Sequence, residues 1–164
     1  MKTLFLLRHA KSSWLDPDLK DFERPLSTRG TKDVPLMAER FLKRHVSVDC
    51  IICSPATRTK TTARLFAKEI KFPIDDIASN PELYFAGAPM FLKATKLIDD
   101  DFNSAILVGH NPAITEFVNE MANCEIKNIP TCGLVELSLP IESWADAKMG
   151  EAKRVFYDYP KKKV

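Results

Sequence analysis

One stretch near the start of the chain, residues 4–13, strongly constrains the fold. Four consecutive large apolar residues, Leu4 to Leu7, run directly into Arg8 and His9. An unbroken apolar run of this length predicts a strand buried on both faces, in a sheet covered by helices on both sides. In open parallel sheets the ligand crevice lies beyond the carboxyl ends of the strands. Arg8 and His9 are therefore predicted to mark an active site for an anion.

The pattern of an apolar strand followed by a basic residue occurs twice more. Residues 48–53 form a predicted strand followed by Arg58, and residues 104–109 form another followed by His110. If these strands are parallel, their exits lie on one edge of the sheet and the side chains can converge. Two arginines suit phosphate, because each guanidinium can donate two hydrogen bonds to it. Taken singly, Arg58 could pair with a surface carboxylate, and His110 could be a hydrogen-bonded loop residue.

Helices are predicted between the strands. The first runs from about residue 31 or 33 to 45, and it accommodates Pro35 without a kink only if that residue lies in its first turn. Two others open on Ser54-Pro55 and Asn111-Pro112, each with a capping side chain and a proline at the first helical position. A further helix runs from residue 88 to about 99. This alternation predicts an α/β fold, a three-layer α/β/α sandwich with a mostly parallel sheet.

The last third of the chain changes its hydrophobic period from helical to alternating. Two strands are predicted there, each with apolar and polar residues in alternation: Val135, Leu137 and Leu139 in one, and Val155, Tyr157 and Tyr159 in the other. Such alternation predicts half-buried strands at or near a sheet edge.

Length and charge limit the class of protein. The 164 residues are predicted to form a single domain, residues 1–164, with one core. A formal net charge of +2 gives no reason to expect a nucleic-acid or membrane partner. No apolar run approaches the roughly 18 residues that cross a bilayer, and Arg8 ends the first run too early for a signal peptide. A cytoplasmic protein is expected.

Cys50 and Cys53 have the Cys-x-x-Cys spacing found in zinc and redox sites. They lie in a predicted strand, where residues three apart point to opposite faces and cannot bind one ion. Cys124 and Cys132 supply no second close pair. The cysteines are therefore predicted to be buried reduced thiols, and no metal is implied.

Three segments, taken together and in order, resemble the histidine phosphatase superfamily, which has the phosphoglycerate-mutase-like fold. They are Leu-Arg-His-Ala-Lys-Ser at 7–12, Ser-Pro-Ala-Thr-Arg-Thr at 54–59 and Gly-His-Asn-Pro at 109–112. The form Arg-His-Ala-Lys-Ser-Ser-Trp, the segment Glu-Arg-Pro-Leu-Ser-Thr-Arg-Gly at 23–30 and the small size resemble its SixA branch, the phosphohistidine phosphatases. The likeness runs from Thr3 to about Phe117.

The resemblance implies that His9 is a nucleophile that takes up the phosphoryl group, forming a phosphohistidine that water then hydrolyses. Arg8, Arg58 and His110 would hold the phosphoryl oxygens, without a metal or other cofactor. The chemistry agrees with these roles, because an imidazole nitrogen attacks phosphorus only when unprotonated, and its neighbours must offset the negative charge.

A general acid should protonate the leaving group. Glu82 lies where many relatives carry theirs and is the favoured candidate, whereas Asp21, in the loop after His9, is the alternative. Lys11 and Ser12 are predicted as minor phosphate contacts.

The resemblance leaves the substrate open. Ala10 stands where most of the superfamily has glycine, which favours the SixA-like branch, and there is little room for the capping insertion of larger relatives. An open site suits a bulky phosphorylated partner, such as a phosphohistidine on a protein. The alternatives are small phosphate esters cleaved by the same mechanism, or a phosphate- or phosphoprotein-binding module without turnover. The sequence does not predict an oligomeric state.

Overall fold

The computed structural model describes residues 1–85 and 87–163. Six strands form one sheet: β1 (Lys2–Arg8), β2 (Cys50–Cys53), β3 (Ala78–Ser79), β4 (Ser104–Gly109), β5 (Leu134–Leu139) and β6 (Lys153–Asp158). The helices are α1 (Thr28–Leu42), α2 (Thr57–Ile70), α3 (Ala88–Lys96) and α4 (Ala113–Ala122). The strand order is β3-β2-β4-β1-β5-β6.

The sheet is mixed. Strand β1 pairs in parallel with β4, β4 with β2, and β2 with β3, whereas β5 runs antiparallel to both β1 and β6. The carboxyl ends of β1, β2 and β4 therefore lie together at one edge. The predicted α/β fold is confirmed.

Helices cover both faces of the sheet around β1. Phe5 and Leu7 pack in one core layer with α1 and α2, and Leu4 and Leu6 pack in the other with α3 and α4. All four side chains are fully buried, and burial of each contributes roughly 1.5–3 kcal/mol. The prediction that residues 4–7 form a strand buried on both faces is confirmed.

Helix α1 begins earlier than predicted. Ser27 is its N-cap and accepts a hydrogen bond from the Gly30 backbone nitrogen at 3.1 Å. Pro35 consequently lies inside the helix, beyond its first turn, which contradicts the expected position. Because proline has no N–H, the carbonyl of Thr31 loses its usual helical donor there.

The two predicted proline starts are both displaced. Helix α2 begins at Thr57, with Ala56 as an N-cap that makes no side-chain hydrogen bond, so Ser54 does not cap it. Helix α4 begins at Ala113, after Asn111-Pro112. The capping prediction was therefore wrong for Ser54, whereas the Asn111 side chain still accepts a hydrogen bond from the backbone nitrogen of Thr115, in the first turn of α4, at 3.3 Å.

The two late strands differ in burial. Strand β5 lies between β1 and β6, next to the sheet edge as predicted, but it is almost wholly buried, so the prediction of a half-buried strand was wrong for it. The intervening Glu136 is also buried and forms an ion pair with Arg44. Strand β6 is the edge strand, as predicted, but Val155 on it is 49% exposed, so the predicted burial of its alternating apolar residues was wrong at that position.

Cys50 packs in the α3–α4 layer and Cys53 in the α1–α2 layer, on opposite faces of the sheet as their spacing predicts. Cys53 and Cys132 are buried, whereas Cys50 and Cys124 are half-buried, and all four are free thiols. Within residues 1–85 and 87–163, no helix combines the length and apolar character that crossing a membrane would require.

Candidate active site

The predicted basic residues meet at the carboxyl edge of the sheet. Arg8 is the last residue of β1 and pairs in register with Gly109, the last residue of β4, so His9 and His110 leave neighbouring strands at one level. The two imidazole rings lie 5.3 Å apart between centroids. Arg58 joins them from the first turn of α2. Its charge lowers the pKa of both histidines, after the larger effect of burial.

The loop after His9 is held rigidly. The Ala10 nitrogen donates to the Thr62 hydroxyl at 3.0 Å, and the Lys11 carbonyl accepts from the backbone nitrogen and hydroxyl of Ser27. A Cβ at Gly30 would lie 2.2 Å from that same carbonyl oxygen, so only glycine fits there. The start of α1 therefore fixes the backbone that follows His9.

His9 is buried and has one ring nitrogen committed. Its Nδ1 lies 2.7 Å from the carbonyl oxygen of Ala10, and because a carbonyl only accepts, Nδ1 carries the hydrogen. Burial above all, together with the charges of Arg58 and Arg8 and against the opposing hydrogen bond to Ala10, lowers the pKa of His9 to about 4. At neutral pH the ring is uncharged, and Nε2 holds a free lone pair.

His110 is also uncharged at neutral pH. Burial and the charge of Arg58 lower its pKa to about 3. Its Nε2 lies 2.8 Å from the Ser54 hydroxyl, whereas its Nδ1 is buried and has no hydrogen-bond partner among the residues the structure describes. Nδ1 is therefore the ring nitrogen of His110 that is left without a partner among these residues.

Ser54 is a site residue that the sequence reasoning assigned to helix capping. Its side chain is fully buried. Ser54 directly follows β2, and His110 directly follows β4. Cys53 pairs with Val108 in register, which places Ser54 beside the exit of β4. The signal available in the sequence was the matching position of these residues after adjacent strands.

Arg8 has one donor without a partner, whereas Arg58 is held by Asp21. Arg8 donates from Nη1 to the Ile129 carbonyl at 2.8 Å, while its buried Nε has no partner among the described residues. Arg58 donates to the backbone and side-chain oxygens of Asp21 at 2.7 and 3.0 Å. Burial and the neighbouring Arg58 charge lower the pKa of Arg8. Two like charges held this close favour an anion between them.

The two candidate acids have different surroundings. The Asp21 carboxylate binds Arg58, and against the larger effects of burial it raises the pKa of both His9 and His110. Glu82 forms an ion pair with Lys93 of α3 at 3.1 Å, and its carboxylate is half-exposed. The structure therefore brings Asp21 to the histidines and directs Glu82 towards α3. A role for either as the general acid stays a prediction.

Tyr84 is a second residue that the sequence reasoning did not single out. Its hydroxyl donates to Asp21 Oδ2 at 2.6 Å, and its ring packs edge-on against His110 with centroids 5.6 Å apart. Burial and the hydrogen bond to Asp21 raise the pKa of Tyr84 to about 12. Burial raises the pKa of Asp21, but hydrogen bonds from Tyr84 and Arg58 outweigh it and hold that pKa below its ordinary value.

Lys11 and Ser12 lie in the loop that follows His9. The Lys11 side chain is exposed, and Ser12 is half-buried and pairs with Leu26 in an isolated bridge. Their contact with phosphate stays a prediction. Among residues 1–85 and 87–163, no group of three or more histidine, cysteine or acidic side chains is arranged to hold a metal ion.

Comparison with known proteins places this geometry in context. The family model for the histidine phosphatase superfamily (branch 1) matches residues 4–84. An uncharacterized chloroplastic protein of Arabidopsis thaliana is 29% identical, over 89% of this chain and 70% of its own. SixA from Agrobacterium tumefaciens is 25% identical with a TM-score of 0.81, covering 97% of this chain and 98% of that one. A protein histidine phosphatase SixA complexed with tungstate has the same fold, with 21% identity, a TM-score of 0.81 and coverage of 96% and 97%.

Proposed function

Because this chain belongs to the histidine phosphatase superfamily and is a histidine-type phosphatase similar to SixA, we propose that it hydrolyses phosphohistidine in a protein. The reaction passes through a covalent phosphohistidine on His9 and uses no metal. The observation that supports this most directly is the state of His9: Nδ1 is bound to the Ala10 carbonyl, and the ring stays neutral beside two guanidinium groups.

In the first half-reaction, the lone pair of His9 Nε2 forms a bond to phosphorus while the bond from phosphorus to the leaving nitrogen breaks. The electron pair of that bond goes to the leaving imidazole, whose other ring nitrogen already carries a hydrogen, so that the ring departs neutral. In the second half-reaction, a water oxygen bonds to phosphorus, the Nε2–phosphorus bond breaks, and its electrons return to the His9 ring. The water releases one proton to solvent.

Arg8, Arg58 and His110 stabilise the charge on the phosphoryl oxygens. Their available donors include Arg8 Nε and, when it carries the hydrogen, His110 Nδ1. Groups already oriented in a protein interior do not have to reorganise during the reaction, and loss of one such donor typically costs about 10²–10³-fold in kcat.

The leaving group favours phosphohistidine over an alkyl ester. Asp21 is held ionised by Arg58 and Tyr84 and so is not poised to deliver a proton, and Glu82 is directed towards α3 by its ion pair with Lys93. The conjugate acid of a leaving imidazole has a pKa of about 6.5, whereas the conjugate acid of an alkoxide has a pKa close to that of water, about 15.7. An imidazole therefore departs without a strong acid.

The remaining predictions complete the proposal. We place residues 1–164 in one catalytic domain. We also place the protein in the cytoplasm, where its four free thiols stay reduced.

The test compares two peptides of one sequence, carrying phosphohistidine or phosphoserine at the same position. The wild-type protein is expected to cleave the phosphohistidine peptide with a kcat/KM at least about 100-fold higher, a difference of roughly 2.7 kcal/mol in barrier. Equal rates on both peptides would favour a general phosphatase of phosphate esters. Binding of both without turnover would identify a phosphoprotein-binding module.

The variant His9→Asn tests whether His9 is the nucleophile. Turnover is expected to fall by more than about 10³-fold, and the acid-labile phosphoenzyme seen on rapid quenching should disappear. His45→Asn is the matched control, because His45 lies after α1 with a φ of 53° that asparagine also adopts. Retained turnover in His9→Asn would remove His9 from the chemistry.

A further inference from the structure

Two exposed aromatic side chains flank the site. Phe22 is 41% exposed and Phe85 is 83% exposed. Both rings contact Tyr84, Phe22 edge-on with centroids 5.0 Å apart and Phe85 with centroids 4.1 Å apart. Tyr84 in turn packs against His110. These three residues, Phe22, Tyr84 and Phe85, form an aromatic rim that continues directly from the catalytic histidines to the surface.

We infer that this aromatic rim docks the protein that carries the phosphohistidine. The inference rests on the proposed function and names the surface on which the body of that substrate lies. It assigns Phe22 and Phe85 to recognition of the polypeptide, and it gives them no part in the chemistry at phosphorus.

The rim is not explained by the stability of the fold. Phe85 has a φ of 54°, in the left-handed region, which costs a bulky residue about 1–2 kcal/mol. Its ring is largely exposed and regains little of that energy by burial. Phe22 lies in a short helical turn, residues 21–23, that buries no residue. Exposed, contiguous aromatic side chains of this kind typically mark interaction sites.

The position of the rim connects it with the substrate. Phe22 follows Asp21, which binds Arg58, and Phe85 follows Tyr84, which binds Asp21. Both aromatic rings are therefore carried by the segments that contact Arg58 and His110. A phosphoryl group between the histidines leaves its attached polypeptide at this border, whereas an isolated small phosphate compound has no polypeptide to place there.

The charges beside the rim favour a protein over an anionic polymer or membrane. Phe22 stands between Asp21 and Glu23. Lys20 and Arg24 flank this pair and Asp21 is bound to Arg58, so the segment beside the rim has no excess of basic side chains. A nucleic-acid backbone or an anionic lipid surface depends on such an excess for binding. A protein that presents apolar side chains next to its phosphohistidine matches both the rings and the cationic pocket.

The experiment compares two substrates with the same phosphorus–nitrogen bond: phosphoramidate, and a small histidine-containing protein phosphorylated with it. Phe85→Asn removes the ring and keeps a residue that accepts the left-handed backbone. Phe22→Ala removes the other ring. Each variant is expected to raise KM for the phosphoprotein about tenfold and to leave kcat/KM for phosphoramidate within about twofold. Leu97→Asn, on a residue 74% exposed at the end of α3, is the matched control with no change on either substrate.

Each outcome is decisive. Unchanged KM for the phosphoprotein in both aromatic variants would overturn the docking role while leaving the proposed function intact. Parallel losses on both substrates would show that the rim supports the pocket and would also overturn it. If the wild-type protein cleaves neither compound, the proposed function fails, and the inference fails with it.

Discussion

Strand β1 has a cationic residue at each end, and the two side chains differ in how many of their donors have hydrogen-bond partners. Lys2, at the amino end, is 3% exposed, and its Nζ donates to the carbonyls of Asp100 and Phe102 and to Asn103 Oδ1, at 2.8, 2.9 and 3.1 Å. Arg8, at the carboxyl end, donates from Nη1 to one carbonyl, while its Nε has no partner among the described residues.

The difference shows that a buried charge does not by itself mark a functional site. All three Lys2 N–H groups have acceptors, which is the arrangement that stabilises a fold. Arg8 instead shares its surroundings with Arg58 and two neutral histidines, and burial and the Arg58 charge lower its pKa. Unused donors and unfavourable charge pairing are what a site keeps for a ligand.

The largest expected effect is on activity at the carboxyl end. Arg8→Met should lower kcat/KM on a phosphohistidine peptide by about 10²–10³-fold, because a donor to the phosphoryl oxygens is lost. The thermal midpoint should stay level or rise, since a cation beside Arg58 is removed. Steady-state kinetics and thermal unfolding measure both. A large drop in stability with normal kinetics would make Arg8 a structural residue.

Lys2→Met should give the opposite result. Three acceptors lose their donor, so the free energy of unfolding should fall by about 2–4 kcal/mol, while kcat/KM stays within about twofold. Denaturant titration of the variant, with the same kinetic assay, tests this. If activity falls and stability does not, the contrast between the two ends of β1 does not hold.

Asp21 and Glu82 provide a second comparison, between a carboxylate that contacts Arg58 and one that contacts Lys93. Asp21→Asn should lower kcat/KM about tenfold, because the charged hydrogen bond that orients Arg58 is weakened. Glu82→Gln, the matched change at the Lys93 pair, should alter it by no more than about twofold. A strong loss in Glu82→Gln on alkyl phosphates, with a shifted basic limb of the pH profile, would instead make Glu82 the general acid.

The last prediction concerns the pH dependence of activity and stability. Because burial lowers the pKa of His9 to about 4, kcat/KM should fall only as the pH drops through about 4. The unfolded chain binds protons at its histidines near pH 6.5, before the folded one does. Stability is therefore present above that pH and is lost on acidification, by at most about 1.4 kcal/mol per pH unit for each of His9 and His110. An acid limb near 6.5 would show that His9 is not shielded as described.

Much of the fold and of the candidate site could be predicted from local patterns in the sequence. The apolar run at residues 4–7 could be read as a buried strand because burial on both faces requires every side chain to be apolar. The convergence of Arg8, Arg58 and His110 followed from the order of strands and helices, since parallel strands end at one edge. The opposite facing of Cys50 and Cys53 followed from the strand period alone.

Other features depend on contacts between distant segments. The Ser54 hydroxyl can cap a helix or bind a histidine. It binds His110 because β2 pairs with β4, which brings the two residues together. The alternation in β5 indicated a half-buried strand at or near the sheet edge, but the strand is almost wholly buried. Tyr84 has no sequence signal as a partner of Asp21, 63 residues away.

The sequence by itself determined the α/β class, the exits of the strands and the four basic residues that gather there, because these follow from side-chain polarity along a regular backbone. The tertiary structure alone decided which nitrogen of His9 is free, which carboxylate lies beside it and where aromatic rings reach the surface. Those features depend on hydrogen bonds and packing between segments that are far apart in the chain, and local polarity does not encode them.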